Sequence, residues 1–145
     1  MWVNRELAST VFGGTLTILR HLSSERKRSV LQFLYEAQLI NEAAKPGPDD
    51  HTLNARIVGL SGADLREANL RYITLEVEGA ALNGVNLENA DLRDAKLSGI
   101  DLGGADLSGV DFSGADLTDA NVTEEQLATC KSLKGATMPD GSKHD

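Results

Sequence analysis

Between Ala80 and Val122 every fifth residue is large and apolar: Leu82, Leu87, Leu92, Leu97, Leu102, Leu107, Phe112, Leu117 and Val122. Two places before each stands a smaller or branched apolar residue, as at Ala80, Val85, Ala90, Ala95, Ile100, Ala105, Val110, Ala115 and Ala120. Between the two there is usually Asp or Asn: Asn86, Asp91, Asp101, Asp106, Asp111, Asp116 and Asn121. Two places after the large residue come Gly, Asp, Asn or Ala, with Gly99, Gly104, Gly109 and Gly114 in that slot. An earlier block, centred on Leu60, Leu65, Leu70 and Leu75, repeats the pattern with Val58, Ala63, Ala68 and Ile73 preceding the centres. The step from Leu75 to Leu82 is seven, which places a two-residue insertion near Val77 to Gly79 and gives thirteen repeats in two blocks.

A period of five fits neither regular element. In an α-helix five residues turn about 140° beyond a full turn, which would spray the leucines around the cylinder. In a straight strand five is odd, so successive leucines would face opposite ways. A corner in every repeat resolves this. Three residues run extended, so the first and third point inward together, and the next two turn the chain with the Gly, Asp or Asn that corners favour. Corners of about 90° close a coil every four repeats. Twenty residues per coil then put Leu82, Leu102 and Val122 in one column, with Leu87 and Leu107, Leu92 and Phe112, and Leu97 and Leu117 in three more. The expected core is Leu65, Leu70, Leu82, Leu87, Leu92, Leu97, Leu102, Leu107, Phe112 and Leu117. Coils stacked at the inter-strand spacing of about 4.8 Å make a stub of about three coils, roughly 15 Å tall.

Ala63-Asp64-Leu65-Arg66-Glu67, Ala90-Asp91-Leu92-Arg93-Asp94 and Ala105-Asp106-Leu107-Ser108-Gly109 resemble the A-(D/N)-L-x-x units of the pentapeptide-repeat family. The resemblance covers Val58 to Val122. It implies a mainly β fold, the right-handed quadrilateral β-helix, and leaves function open because a fold does not fix one.

Solenoid ends expose unpaired backbone and apolar columns and need covering. The resulting division is an N-terminal helical region over 1–43, a linker over 44–55, the β-helix over 56–122, and a C-terminal capping helix with a tail over 123–145. Thr123-Glu124-Glu125-Gln126 reads as a capping box opening a helix to about Cys130. Leu127 keeps the five-residue phase and can plug the last coil. Lys131 to Thr137 return to a repeat-like rhythm, Pro139-Asp140-Gly141 is a turn, and the last residues read as frayed. At the other end Val30, Leu31, Phe33, Leu34, Ala37, Leu39 and Ile40 lie at helical spacing, with Ser24 as cap. A preceding helix with Leu7, Val11, Leu16, Ile18 and Leu19 would complete a hairpin around Ser23-Ser24. The stretch from Glu25 to Ala37 resembles the region before the repeats in uncharacterised members of the family from photosynthetic bacteria. Pro46-Gly47-Pro48-Asp49-Asp50 marks the linker.

Composition narrows the chemistry. Hydrophobic residues make up 41% of the 145 residues and aromatics only 4%, so the core must be aliphatic. The net charge of −8 argues against direct nucleic-acid binding, since phosphates repel an acidic surface. Nearly all of it lies on the repeats, where residues 55–122 hold 12 acids against 5 bases. The single cysteine, Cys130, excludes an intrachain disulfide and a multi-cysteine zinc site, and reads as a small buried hydrophobe. His21, His51 and His144 fall in separate regions and form no metal or acid–base spacing. Gly103-Gly104-Ala105-Asp106 has the wrong period for a calcium β-roll, and no phosphate-loop arrangement is present. Arg26-Lys27-Arg28 reads as a solvated helix start. No apolar run approaches a membrane span and no secretory signal is visible, so a cytoplasmic location is expected.

No catalytic, cofactor-binding or metal residues are therefore expected, and the protein reads as a non-enzymatic interaction or scaffold module with a protein partner. The candidate interaction residues are the ordered acids Asp91, Asp101, Asp106, Asp111 and Asp116. The alternative is mimicry of DNA against gyrase or another topoisomerase, a role known in the family. Against it stand the short stub, the interruption of the acids by Arg93 and Lys96, and an N-terminal region unlike that of the gyrase-binding members.

Overall fold

The computed structural model describes residues 19–36, 60, 62–75 and 82–145, the side chains of 34–36 excepted. The expected linker, the insertion near Val77 and the helix segment from Leu7 to Ile18 lie outside the described residues. So do Ala37, Leu39, Ile40 and His51.

From Leu60 onward the chain winds as a four-sided coil whose successive turns pair in parallel. Asn86 pairs with Asp64 on one side and Asp106 on the other, Asp91 with Asn69 and Asp111, Lys96 with Thr74 and Asp116, and Asp101 with Asn121. Positions 86 and 106 are twenty apart, whereas 64 and 86 are 22 apart. The two inserted residues are thus absorbed between Leu75 and Leu82 without disturbing the register of three sides.

The repeat of five follows from its backbone accounts. Every buried or half-buried N–H needs an acceptor. Asn86 N–H donates to Ala63 O, Leu87 N–H to Asp106 O and Asn89 N–H to Ser108 O, all between coils. Ala90 N–H closes the corner onto Leu87 O at 2.8 Å. The fifth amide, that of Glu88, reaches neither neighbour and donates instead to the Asn86 side chain at 3.0 Å. The same five partners recur for residues 91–95, with Arg93 N–H on the Asp91 carboxylate.

Each corner also forces one residue into the left-handed region. Gly fills that slot at positions such as 99, 104, 109 and 114, with φ between 67° and 72°. Glu67, Tyr72, Asn89, Asp94 and Asp119 adopt it without being glycine. Asn and Asp tolerate such a φ through local hydrogen bonding, whereas a bulky Tyr does not do so readily.

The inward residues form one aliphatic core. Leu65, Leu70, Leu82, Leu87, Leu92, Leu97, Leu102, Leu107, Phe112 and Leu117 are all buried, none more than 3% exposed. The small partners Ala63, Ala68, Ala90, Ala95 and Ala115 are buried between them.

Helix α1 (Ser24–Glu36) covers the first coil. Leu19 and Leu31 are fully buried and join the same core as the leucine columns. Lys27 is 6% exposed and its ammonium donates to Arg66 O at 2.8 Å, while Asn69 donates to the Glu25 carboxylate at 2.8 Å. Two expectations change here. The helix begins with Ser24 itself, so Ser24 is its first residue rather than its cap. Lys27 is not solvated: it lies four residues before Leu31 and therefore on the same, inward side. Leu19 to His21 are also helical.

At the far end helix α2 (Glu124–Ala128) interrupts the coil, and its capping box is complete. Gln126 serves both structures. Its side-chain oxygen Oε1 accepts the Thr123 N–H, and its side-chain Nε2 donates to Leu102 O and Ala105 O at 2.8 and 2.9 Å. Leu102 O already closes its own corner with the Ala105 N–H, whereas Ala105 O lacks the amide that Ala63 O and Ala90 O receive from the next coil, so there the side-chain amide stands in for a strand. Leu127 plugs the Leu87–Leu107 column at 7% exposure. The coil then resumes for two sides, with Ser132 on Asp111 and Thr137 on Asp116. The last residues are not frayed. Lys143 pairs antiparallel to Thr137, His144 N–H donates to Ala136 O, and Gly135 N–H donates to His144 O. This returning tail covers an edge that would otherwise remain open. No helix among the described residues is long and apolar enough to cross a membrane.

Leu107→Ala is expected to cost about 2–5 kcal/mol in chemical denaturation, because stacked columns cannot collapse into the space. Gln126→Glu should keep the capping box yet lose about 1–3 kcal/mol, since a carboxylate would face two carbonyls it cannot donate to. A thermal melt of each variant beside the parent measures both losses.

Candidate functional site

The candidate acids are distributed by the coil's own period. Asp91 and Asp111 are neighbours on one side of the solenoid, whereas Asp106, Asp116 and Asp101 each lie on a different side. The five do not form one surface. Each has a local task instead. Asp91, Asp101, Asp106, Asp111 and Asp116 all accept the N–H two residues on, from Arg93, Gly103, Ser108, Ser113 and Thr118, at 2.9–3.2 Å. This is the turn that Asp and Asn side chains make with their own backbone. Several accept more: the Ser113 and Thr118 hydroxyls donate to Asp111 and Asp116 at 2.6 Å, and Asn121 donates to Asp101 at 2.7 Å.

Charge on the coil is partly answered within it. Arg66 is paired with Asp64 at 2.7 Å and holds that carboxyl down at about 2. Arg93 is paired with Asp91, holding it below the usual range, and reaches Asp111 at 4.0 Å. Asp106 and Asp116 are lowered by the hydrogen bonds from Ser108 and Thr118. At Asp111 burial pushes the carboxyl up, but Ser113 and the charge of Arg93 outweigh it.

Other chemistry is sparse. Burial pushes the Cys130 thiol up to about 11, and its sulfur lies 3.7 Å from Gln126 O. A thiol so protonated is a poor nucleophile. His21 and His144 are exposed and far apart in the chain. No three His, Cys, Asp or Glu residues among those described are grouped to hold a metal.

Among the described residues, two of the concavities lie where α1 meets the solenoid. A polar cleft of about 560 Å³ is lined by Arg20, Ser23, Lys27, Asp64, Arg66 and Glu88, among others. A second, of about 430 Å³, runs between α1 and a coil corner, with Arg26, Arg28, Ser29 and Gln32 on one wall and Tyr72 and Thr74 on the other.

The family model that describes pentapeptide repeats matches residues 77–109 and 86–124, with 8 copies. The chain carries pentapeptide repeats. Its four-sided solenoid is accordingly the right-handed quadrilateral β-helix of pentapeptide-repeat proteins. Among solved structures, it is similar to HetL of the cyanobacterium Nostoc sp. strain PCC 7120, a pentapeptide-repeat protein involved in heterocyst differentiation regulation. The identity is 31%, with 58% of this chain and 50% of that one covered, at a TM-score of 0.32. The chain thus spans about half the length of that protein. No curated protein sequence matches the chain. Beyond the matched residues, the pentapeptide pattern runs on in the structure at Leu60 to Leu75 before them and at Ser132 to Met138 after them.

Sequence reasoning assigned the Asp and Asn slot to surface charge and corner propensity and missed its hydrogen bond. The signal was present: an Asx residue two places before an amide with no strand partner. Lys96 is the instructive exception, because it fills the slot without an acceptor and Ser98 N–H gains no side-chain partner among the described residues. Lys96→Asn should supply one and raise stability by about 0.5–1.5 kcal/mol. A higher melting temperature than the parent's is the expected reading, and a lower one would show that the pentapeptide slot is not used this way.

Proposed function

We propose that this protein is a non-catalytic interaction or scaffold module, cytoplasmic, with a protein partner. The observation that carries this reading is the way the chain spends its polar groups. The ordered acids and amides of the solenoid are taken up by corners and coil pairing, and the only cysteine is held protonated. What remains for function is shape: rigid, flat sides and the grooves where α1 joins them. We read residues 1–43 as an N-terminal helical region, 44–55 as a linker, 56–122 as the rigid β-helix, and 123–145 as the capping helix and tail.

DNA mimicry draws less support. A phosphate-like surface needs an unbroken run of free negative charge, but Arg66 and Arg93 pair with the acids beside them, and Lys96 stands on a third side.

Capture of partners from host lysate at low and at high salt separates the two readings. A module with a packed interface keeps its partner as salt rises, whereas a charge mimic releases it steeply. A topoisomerase that elutes with salt would overturn the module reading.

A further inference from the structure

Tyr72 is out of place by the rules of its own solenoid. It stands in the corner slot at φ 59°, where most repeats use Gly, Asn or Asp. The residue is 58% exposed, so burial does not repay the strain. A bulky residue held at positive φ on the surface is a recognised mark of function.

Its surroundings sharpen this. The Arg71 guanidinium lies 5.1 Å from the centre of the Tyr72 ring and donates to its hydroxyl at 3.0 Å. Arg71 Nε is shielded from solvent with no acceptor among the described residues. Tyr72 lines the groove against α1 together with Arg26 and Arg28. The one carboxylate there, Glu25, already holds Asn69. Phe33 is 63% exposed and follows Ser29 by one helical turn, so it shares that side of α1. Tyr72 and Phe33 are the large hydrophobic residues left exposed among those described. With Arg26 and Arg28 against the single, already engaged Glu25, the groove itself is basic and complementary to an acidic ligand, and aromatic and Arg residues are the usual anchors of protein contacts.

We propose that the Tyr72 groove docks an acidic peptide segment of a partner protein that also carries an apolar side chain. Arg26 and Arg28 receive the carboxylates, and the two rings supply the part of the contact that salt does not screen. This rests on the interaction-module reading and gives it a place and a ligand class.

The test uses the full chain and a short fluorescein-labelled peptide of Glu and Asp with a central Phe, read by anisotropy. Tyr72→Gly and the double variant Arg26→Ser/Arg28→Ser should each weaken binding by about tenfold or more. Tyr72→Gly should melt no lower than the parent, because glycine relieves the positive φ, so the loss cannot be ascribed to unfolding. The same peptide with Lys for its acids should not bind. Unchanged affinity in Tyr72→Gly would overturn the site. So would equal, Tyr72-dependent binding of an oligothymidylate, which would make it a general polyanion groove. A lysate partner captured equally by parent and Tyr72→Gly would overturn the site and leave the module reading standing. A parent chain that captures no partner at all would overturn both.

Discussion

The structure depends on finding an acceptor for one amide per repeat. Of five N–H groups, three pair with adjacent coils and one closes the corner, as residues 86–90 show. The remaining one, just after the central Leu, has no coil partner and is reached by the side chain two places back. An Asp or Asn in that slot completes the account, and leaving an amide without a partner costs free energy in every coil. Half of the solenoid's acids, Asp64, Asp91, Asp101, Asp106, Asp111 and Asp116, stand in this slot and accept such a hydrogen bond.

A coil that satisfies itself internally still has two ends, and they are closed by different means. At the first coil α1 brings Leu31 to the core and a nearly buried Lys27 to the carbonyl of Arg66. At the last, α2 takes the place of one side, and the Gln126 side-chain amide donates to Leu102 O and to Ala105 O, the second a carbonyl that the next coil would have used. The tail then doubles back on Thr137. All three supply donors or acceptors where stacking stops. An open β edge would invite another chain.

The same bookkeeping isolates the residues that stacking does not explain. Asn89 and Asp94 sit at positive φ, but their side chains lie over Gly109 and Gly114 on the next coil, where a Cβ would approach Asn89 Oδ1 to 2.3 Å and Asp94 Oδ1 to 2.4 Å. Those two exceptions therefore belong to the packing. Tyr72 stands in the same slot, largely exposed, with the Arg71 guanidinium over its ring and α1 across the groove.

The sequence by itself determined the solenoid. A five-residue apolar period is compatible with neither helix nor straight strand, so it dictated a corner per repeat, the leucine columns from Leu82 to Val122, and the place of the insertion. The Thr123 capping box was likewise readable, because its partners are three residues apart. Tertiary structure decided what depended on contacts between distant segments. It turned Lys27 inward from a triplet that looked solvated, gave the Gln126 amide its two carbonyl acceptors, and laid the tail back on Thr137. It spread Asp91, Asp101, Asp106 and Asp116 over four sides, and it brought α1 beside Tyr72. Local periodicity fixes which side of its own element a residue takes. Only the packing of one element on another fixes what that side meets.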